Sequence, residues 1–302
     1  MARKRASSGL DGILLVDKPA GWTSHDVVAK VRRLSGQPRA GHTGTLDPFA
    51  TGLLVVCLGR ATRLAEYLTA HEKAYEAEAV LGVETDTDDS DGRVTRRDAV
   101  PTLDRARLSE LEQQFTGRIR QVPPAYSALS IGGERAYALA RRGEAVALAA
   151  RAVEVLALSL ELVGADRLRM HVQCGPGTYI RSLARDIGRE LGCGAHLVSL
   201  RRLRSGCFDV AAAWPMVKLE ELAGAGRLAE ALLPADEGLQ EWDAAILGER
   251  GMAAFGRGNR YRARSCTRAA ELARVYGADG SFLGVGTVDT TGTVQPVKVL
   301  AG

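Results

Sequence analysis

The sequence predicts a mixed α+β fold with a largely antiparallel sheet core and flanking helices, followed by a small all-β domain. Strand-like and helix-like segments do not alternate regularly along the chain, which argues against a doubly wound parallel sheet. The composition shifts at residues 233–238, and the segments beyond are short and strand-like, with a hairpin turn at Asp279–Gly280. We therefore expect a large domain over residues 1–235 and a small one over residues 236–302.

The elements follow from where apolar patterns start and stop. The run Gly12–Pro19 ends at a proline, as expected for a strand, and Thr23 or Ser24 can cap a following helix that Gly36 ends. Apolar residues spaced along one face predict a helix over residues 102–117 and another within residues 175–192, where a turn leads into the helix. Further strands are predicted over residues 52–59, 74–82, 153–163, 167–174 and 197–206. Residues 122–146 mix Pro, Gly, aromatics and arginines without one period, which indicates an excursion from the core.

Composition limits the class of protein. Hydrophobic residues make up 46 % of the 302 residues, enough for a sizeable core, and a net charge of +4 hints at an anionic partner. The five cysteines are scattered and form no CxxC pair, which favours reduced thiols. The N-terminus lacks the apolar stretch of a signal peptide, and no apolar run is long enough to span a bilayer. We expect a soluble, cytoplasmic protein that does not bind membranes, with a monomer as the default.

The candidate chemistry centres on Asp47, in the glycine-rich turn "GHTGTLDP" just before an apolar strand. Most aspartates in such turns only cap the turn. A carboxylate nucleophile would have to stay ionised while partly desolvated, although burial alone raises its pKa. An arginine partner would reverse that shift and fix the direction of the carboxylate. The nucleophile hypothesis therefore predicts a buried arginine elsewhere in the chain, and Arg181, where a tight turn enters a helix, is well placed to hold a guanidinium rigidly.

Other side chains are open to a structural or a functional interpretation. His42 lies beside two glycines and belongs to no apolar face, whereas we interpret the other four histidines as structural. Tyr75 begins a strand, and its ring is either a core aromatic or a platform for a flat base. Six arginines cluster near one stretch of the core, with Tyr126, Tyr137 and Tyr179 interleaved, which favours binding of a phosphate backbone over a merely solvated face. The arginines are Arg181, Arg185, Arg189, Arg201, Arg202 and Arg204.

Metal and nucleotide-cofactor sites are not indicated. The acidic stretch at residues 84–92 lacks the glycine and glutamate positions of a calcium loop, so we expect a solvated loop. Cys193 and His196 supply only two ligands, too few for a zinc site. The glycine-rich fingerprints of dinucleotide and phosphate loops are absent from the sequence.

Five segments, in this order, resemble the TruB family of tRNA pseudouridine-55 synthases over nearly the whole chain. They are "LLVDKPAGWTSHDVV", "GHTGTLDPFATGLL", "KAYEAEAVLGVETDTDDSDG", "VPPAYSALSIGGERAYALARRGE" and "GTYIRSLARDIGRELGCGAHLVSLRRLRSG". The resemblance implies a core of pseudouridine-synthase type. It also implies that Asp47 is the essential aspartate, that Arg181 pairs with it, and that Tyr75 stacks on the target uracil and is a candidate for proton transfer.

The resemblance also implies the residues around these three. His42 matches the histidine that helps to hold the target base out of its loop, and Asp89 matches an acidic residue near the flipped bases. Lys18 and Tyr179 occupy motif positions that support the pocket, and we count both, with Arg202, among the substrate-binding residues. The segment 122–146 is similar to a loop that closes on RNA, and residues 236–302 resemble a PUA-like RNA-binding domain.

The function implied is isomerisation of uridine 55 in the T loop of tRNA, without metal, cofactor or obligate protein partner. Three positions depart from the family pattern: Ser130 stands for a usual lysine, Pro176 for a lysine or serine, and Leu203 for a threonine. Two alternatives are a relative guided by RNA inside a ribonucleoprotein and a non-catalytic RNA binder or tRNA-folding helper. The lack of lysine-rich tails argues against the first, and intact Asp47, Tyr75 and Arg181 argue against the second, although a folding role could coexist with catalysis.

Overall fold

The computed structural model describes residues 9–127, 130–131, 134–135, 142 and 148–300. The predicted mixed α+β class is confirmed: most of the strands form one large sheet, and a second sheet follows near the C-terminal end. The helices among the described residues are α1 (Ser24–Ser35), α2 (Ala65–Thr69), α3 (Arg105–Gln114), α4 (Ile180–Glu190), α5 (Met216–Gly224) and α6 (Glu249–Gly256). Short 3-10 turns occur at Gly59–Leu64, Val210–Ala212, Leu228–Ala231 and Glu237–Leu239.

The first eleven strands run from the start of the described chain to its third quarter. They are β1 (Gly12–Lys18), β2 (Ala40–His42), β3 (Thr51–Leu58), β4 (Lys73–Leu81), β5 (Val83–Thr85), β6 (Val94–Arg97), β7 (Gly117–Gln121), β8 (Ser130–Ile131), β9 (Glu134–Arg135), β10 (Arg151–Leu162) and β11 (Arg167–Cys174). The remaining strands are β12 (Ala195–Ser205), β13 (Phe208–Asp209), β14 (Trp214–Pro215), β15 (Leu232–Leu233), β16 (Ala244–Leu247), β17 (Tyr261–Arg262), β18 (Ser265–Cys266), β19 (Ala270–Gly277), β20 (Phe282–Val288) and β21 (Thr293–Val299). The strand and helix predictions for residues 12–114 and 153–206 are confirmed within a few residues at their ends.

The large sheet follows the order β14-β1-β3-β12-β4-β11-β10-β7, with β2, β13 and β15 paired at its margins. Its neighbours are antiparallel except β1–β14 and the central pair β3–β12. At that central pair Gly52 has φ +97°, and a Cβ there would lie 2.3 Å from the Arg202 carbonyl oxygen. Glycine therefore lets β12 approach β3 closely, and this approach brings the arginines of β12 beside the loop that precedes β3.

Helix α4 packs against β12, because Ile180, Leu183 and Ile187 form its buried face. Helix α1 begins at a capping box, in which the Thr23 side chain accepts from the Asp26 N–H and the Asp26 carboxylate accepts from the Thr23 N–H. It ends at Gly36, whose φ of +62° is the left-handed conformation that glycine adopts freely. These two helices bracket the loop that carries Asp47.

The second sheet follows the order β17-β21-β20-β19-β16-β18, with α6 packed on it. The predicted turn at Asp279–Gly280 connects β19 to β20, as expected. Segments that flank the two sheets touch each other: the Arg60 guanidinium donates to the Leu300 carbonyl oxygen at 2.8 Å, and Tyr67 in α2 packs edge-on against Trp242 with ring centroids 5.0 Å apart. No helix among the described residues is long and apolar enough to cross a membrane.

Candidate active site

The loop between β2 and β3 carries Asp47 and is fastened from beneath. The Ser24 hydroxyl at the start of α1 accepts from the Leu46 N–H at 2.8 Å. Lys18, at the end of β1, is fully buried, and its ammonium donates to the carbonyl oxygens of Pro19, Trp22 and Pro48 at 3.0, 2.6 and 3.2 Å. Burial lowers the pKa of Lys18 to about 8, with nearby Asp47 opposing that shift.

Lys18 lines neither of the two cavities described below. All of its side chain lies inside the protein, where it supports the loop as the resemblance implies. Its assignment as a substrate-binding residue stays a prediction.

Arg181 meets Asp47, as the sequence predicted. Its Nη2 donates to Asp47 Oδ1 at 3.0 Å, and its Nε lies 3.0 Å from Oδ2 as an ion-pair contact outside hydrogen-bonding angle. Nη1 donates to the Thr87 carbonyl oxygen at 2.9 Å and to Asp89 Oδ2 at 3.2 Å, and Nη2 also donates to the Tyr126 carbonyl oxygen at 2.9 Å. The Arg181 side chain is 4 % exposed and that of Asp47 29 %, so a rigid buried cation aims a carboxylate that substrate can still reach.

The acidic stretch is not the solvated loop that the sequence predicted. Asp89 is 5 % exposed, and its carboxylate is bound by Arg181 and by the Thr87 hydroxyl. Burial raises the pKa of Asp89, while Thr87 and then Arg181 oppose the rise. Neighbouring Asp88 pairs with Arg185 at 2.8 Å. The prediction failed because the arginine partners are more than ninety residues away along the chain.

The exposed phosphate-binding face predicted from six arginines is also corrected. Arg181, Arg185 and Arg202 are buried, each with acceptors from the protein. Arg201 forms a two-bond pair with Asp17, at 3.0 and 2.8 Å. Of the six, Arg189 and Arg204 are exposed, and Arg201 is partly exposed.

Arg202 connects the loop to Tyr75. Its guanidinium donates to the carbonyl oxygens of Gly44 at 3.2 Å and Thr45 at 3.1 Å and lies 5.7 Å from the Tyr75 ring centroid. Tyr75 is half-buried on β4, and burial raises the pKa of its hydroxyl. Two residues earlier on the same face of β4, Lys73 is buried, and burial lowers its pKa to about 8.

Two cavities meet at Asp47. The larger, of about 1020 Å³, is lined by His25, His42 and Asp89 among others, and the smaller, of about 240 Å³, by Tyr75, Tyr179 and Arg202 among others. Both are lined by Thr45, Leu46, Asp47, Ser127 and Arg181. The structure thus brings every predicted site residue except Lys18 to the wall of one cavity or both.

His42 and Tyr179 take defined positions in these walls. The Nδ1 atom of His42 accepts from the Gly44 N–H at 3.3 Å, and the ring meets His25 edge-on at 5.6 Å between centroids. Burial lowers the pKa of His42 to about 4, so its ring is neutral near pH 7. Tyr179 precedes α4, and its backbone N–H and carbonyl both bond the Gln121 side chain, at 2.8 and 3.1 Å.

The lining residues that the sequence analysis does not propose for the site include His25, Lys73 and Ser127. The sequence analysis interprets His25 as structural, and it assigns no role to Ser127, although that residue lies in one of the five segments that resemble the family. Lys73 did carry a signal, since it lies two residues before Tyr75 and so shares its strand face. Among the described residues no group of three or more His, Cys, Asp or Glu side chains could hold a metal ion, and His196 instead contacts the Val83 carbonyl oxygen at 2.9 Å.

Family models match nearly all of the chain. Residues 32–180 match the TruB family pseudouridylate synthase N-terminal domain, residues 181–240 the tRNA pseudouridylate synthase B C-terminal domain, and residues 244–300 the pseudouridine synthase II TruB C-terminal model. The chain belongs to the TruB family. The first two of these models meet between Ile180 and Arg181, in the first turn of α4.

Curated TruB relatives are similar over almost the full length. The chain is 47 % identical over 297 residues to tRNA pseudouridine synthase B of Xanthomonas axonopodis pv. citri, covering 97 % of this chain and 95 % of that protein. It is 42 % identical over 300 residues to the protein of the same name from Stutzerimonas stutzeri, covering 98 % of each. The fold is also that of a chain in the crystal structure of a Cbf5-Nop10-Gar1 complex, with a TM-score of 0.73, 24 % identity, and coverage of 96 % of this chain and 85 % of that one.

Proposed function

We propose that this TruB-family protein isomerises uridine 55 in the T loop of tRNA to pseudouridine. The observation that carries the proposal is the buried Arg181 that aims the Asp47 carboxylate into two adjoining cavities. The relatives named tRNA pseudouridine synthase B, at 42–48 % identity over nearly the whole chain, support tRNA as the substrate.

The reaction is an internal rearrangement whose atoms balance. The N1–C1′ bond of the uridine breaks, the uracil turns, C5 bonds to C1′, the C5 proton leaves and N1 gains a proton. Asp47 acts as nucleophile in this proposal, because its carboxylate is partly exposed while Arg181 holds it in place. The target must first leave its stack, since its reacting atoms are otherwise covered.

The smaller cavity suits the target base. Tyr75 offers a flat ring beside Asp47, and stacking between an aromatic ring and a base is favourable whatever the base. Tyr179 and Arg202 line the same cavity, Arg202 also fixing the carbonyl groups of the loop. The larger cavity, with neutral His42 and with Asp89, leaves room for nucleotides that accompany the target.

The remaining assignments complete the proposal. Residues 1–235 form the catalytic domain and residues 236–302 an RNA-binding domain, and the protein acts as a cytoplasmic monomer. The predicted closing loop at 122–146 falls largely on residues outside the described part of the chain, as does the side chain of Ser130.

The decisive experiment is tritium release from unmodified tRNA labelled at C5 of its uridines. Wild-type protein should release one tritium per tRNA, whereas a transcript with cytidine at position 55 should release none. Asp47→Asn, which preserves shape and removes the charge, should bind the tRNA and release none. Release from the cytidine 55 transcript would refute the target, and normal turnover by Asp47→Asn would refute the nucleophile. Tight binding without release by wild-type protein would favour an RNA-binding helper.

A further inference from the structure

The turn that holds Asp89 contains an unusual backbone. Asp88 has φ +61° and is the one non-glycine residue with positive φ in the described ranges. Aspartate is among the few residues that tolerate this left-handed conformation. In an extended strand two successive side chains would point to opposite faces. The left-handed residue instead turns the chain so that the carboxylates of Asp88 and Asp89 both reach helix α4.

Two arginines one helical turn apart receive these two carboxylates. Arg181 Nη1 donates to Asp89 Oδ2 at 3.2 Å, and Arg185 Nη1 donates to Asp88 Oδ2 at 2.8 Å. Residues four apart lie on the same face of a helix, so the two pairs stand side by side. The result is a double clamp between α4 and the turn.

The same two arginines also hold a second segment. Arg181 Nη2 donates to the Tyr126 carbonyl oxygen at 2.9 Å, and Arg185 Nη2 donates to the Val122 carbonyl oxygen at 2.8 Å. The Ser182 hydroxyl adds a bond to Val122 at 2.9 Å. The segment from Val122 to Ser127, whose end lines both cavities, is thus fixed at two points by the arginines that fix the turn.

The Asp88–Arg185 pair, the half of the double clamp farther from Asp47, is buried and charged. The Arg185 side chain is 8 % exposed and that of Asp88 14 %, and Arg185 Nε also binds Asp186 at 2.9 Å. Burial raises the pKa of Asp88, and Arg185 opposes that rise. Separating the two partners would leave each charge buried without its counter-ion, which is costly. The pair therefore resists displacement of the turn from α4. Neither residue lines the two cavities.

We propose that Asp88 and Arg185 are positioning residues for the reaction, which act on Asp47 through Arg181. They fix the turn and the Val122–Ser127 segment, and these two supply three of the acceptors that orient the Arg181 guanidinium. This inference rests on the proposed function, and its structural half can be tested separately.

The kinetic test compares Arg185→Gln, Asp88→Asn and the double variant with wild type. Asparagine keeps the tolerance for positive φ, so Asp88→Asn removes the charge and leaves the turn. Each single variant should lower kcat roughly tenfold and change KM for tRNA by less than about threefold, since the clamp lies away from the substrate. The double variant should be no slower than the slower single variant, because both remove one interaction.

The matched control is Arg227→Gln, which removes an exposed arginine–glutamate pair with two hydrogen bonds of 2.7 Å. It should leave kcat and KM unchanged. A normal kcat in Arg185→Gln with only a lower melting temperature would overturn the proposal in favour of a purely structural role. A raised KM with normal kcat, or multiplying effects in the double variant, would overturn it as well.

Hydrogen exchange tests the clamp without reference to turnover. The Leu197 N–H donates to the Asp88 carbonyl oxygen at 3.1 Å, and the Gly92 N–H donates to the Asp89 carbonyl oxygen at 3.3 Å. These two amides should exchange faster in Arg185→Gln than in wild type or Arg227→Gln. Unchanged exchange would refute the clamp. If wild-type protein released no tritium while the two amides still exchanged faster in Arg185→Gln, the proposed function would be refuted and the clamp would stand.

Discussion

The region around α4 and the second sheet differ in the kind of side chain that they bury. Near α4 the interior holds charged side chains, with Arg181 3 %, Asp89 5 % and Arg202 2 % exposed. The buried cluster of the second sheet is apolar and is formed by Ala245, Leu247, Phe255, Ala273, Val275, Leu283, Val288 and Val294. Apolar burial stabilises without regard to direction, whereas buried charges are costly unless each is paired in good geometry. The contrast indicates that the buried charges near α4 hold the side chains of the candidate site in position, whereas the apolar cluster of the second sheet mainly stabilises the fold.

The largest effect on stability should come from Phe255→Ala. Phe255 is 1 % exposed in the cluster of the second sheet, and truncating a buried phenylalanine costs about 3–5 kcal/mol. Urea unfolding should show this loss, while the kcat of the folded variant at low temperature stays close to that of wild type. Val297→Ala is the control, since that side chain is 42 % exposed and should change little. A loss of kcat as large as the loss of stability would contradict the division between the two regions.

Arg181→Lys should have the opposite profile. Lysine keeps the charge but cannot supply the planar fork that reaches Asp47, Asp89 and two carbonyl groups together, so we expect kcat to fall about 100-fold. Tritium release and urea unfolding should be measured side by side. Arg105→Lys is the matched control, because Arg105 forms a two-bond pair with Glu112 at 3.0 and 2.6 Å outside both cavities. Near-normal kcat in Arg181→Lys would show that charge alone suffices at this position.

A smaller and pH-dependent effect is expected from His42. Burial lowers its pKa to about 4, from the 6.5 of an unperturbed imidazole. The unfolded chain therefore binds the proton first as pH falls, so stability present above pH 6.5 is lost progressively between pH 6.5 and 4. At pH 5 the loss should be about 1–2 kcal/mol, allowing for partial exposure of the ring.

Urea unfolding at pH 7 and pH 5 should reveal this loss in wild type and a smaller one in His42→Gln. Glutamine does not titrate in this range, so the difference between the two proteins isolates the His42 ring. Equal pH dependence in both would assign the loss to other groups.

Features that depend on residues close together along the chain could be predicted from the sequence, and those that depend on distant residues mostly could not. The strand pattern of β4 and the helix cap at Thr23 depend on neighbouring residues and were readable. The need of Asp47 for an arginine partner follows from what keeps a partly desolvated carboxylate ionised, and the family resemblance identifies that partner as Arg181. The pairing of Asp88 with Arg185, 97 residues apart, was not readable, because it depends on the left-handed turn at Asp88 and on how α4 packs.

The same limit explains the arginine prediction. Spacing four apart correctly placed Arg181 and Arg185 on one face of a helix, but it could not tell whether that face meets solvent or the acidic turn. Burial of a charged face depends on where its partners lie in three dimensions. The sequence therefore predicted an exposed phosphate-binding face for Arg181 and Arg185, which are buried.

The smallest effect should come from Arg227→Gln, and it sharpens the comparison because the bonds removed resemble those of the buried clamp. Arg227 donates to both Glu230 oxygens at 2.7 Å, yet the side chains are 61 % and 54 % exposed. Water replaces such bonds readily, so the melting temperature should move by less than about 1 °C. Arg185→Gln, measured in the same scan, should melt several degrees lower, since Asp88 would be left buried without its cation. Equal shifts in the two variants would mean that burial around α4 adds nothing to what an arginine–carboxylate pair contributes on the surface.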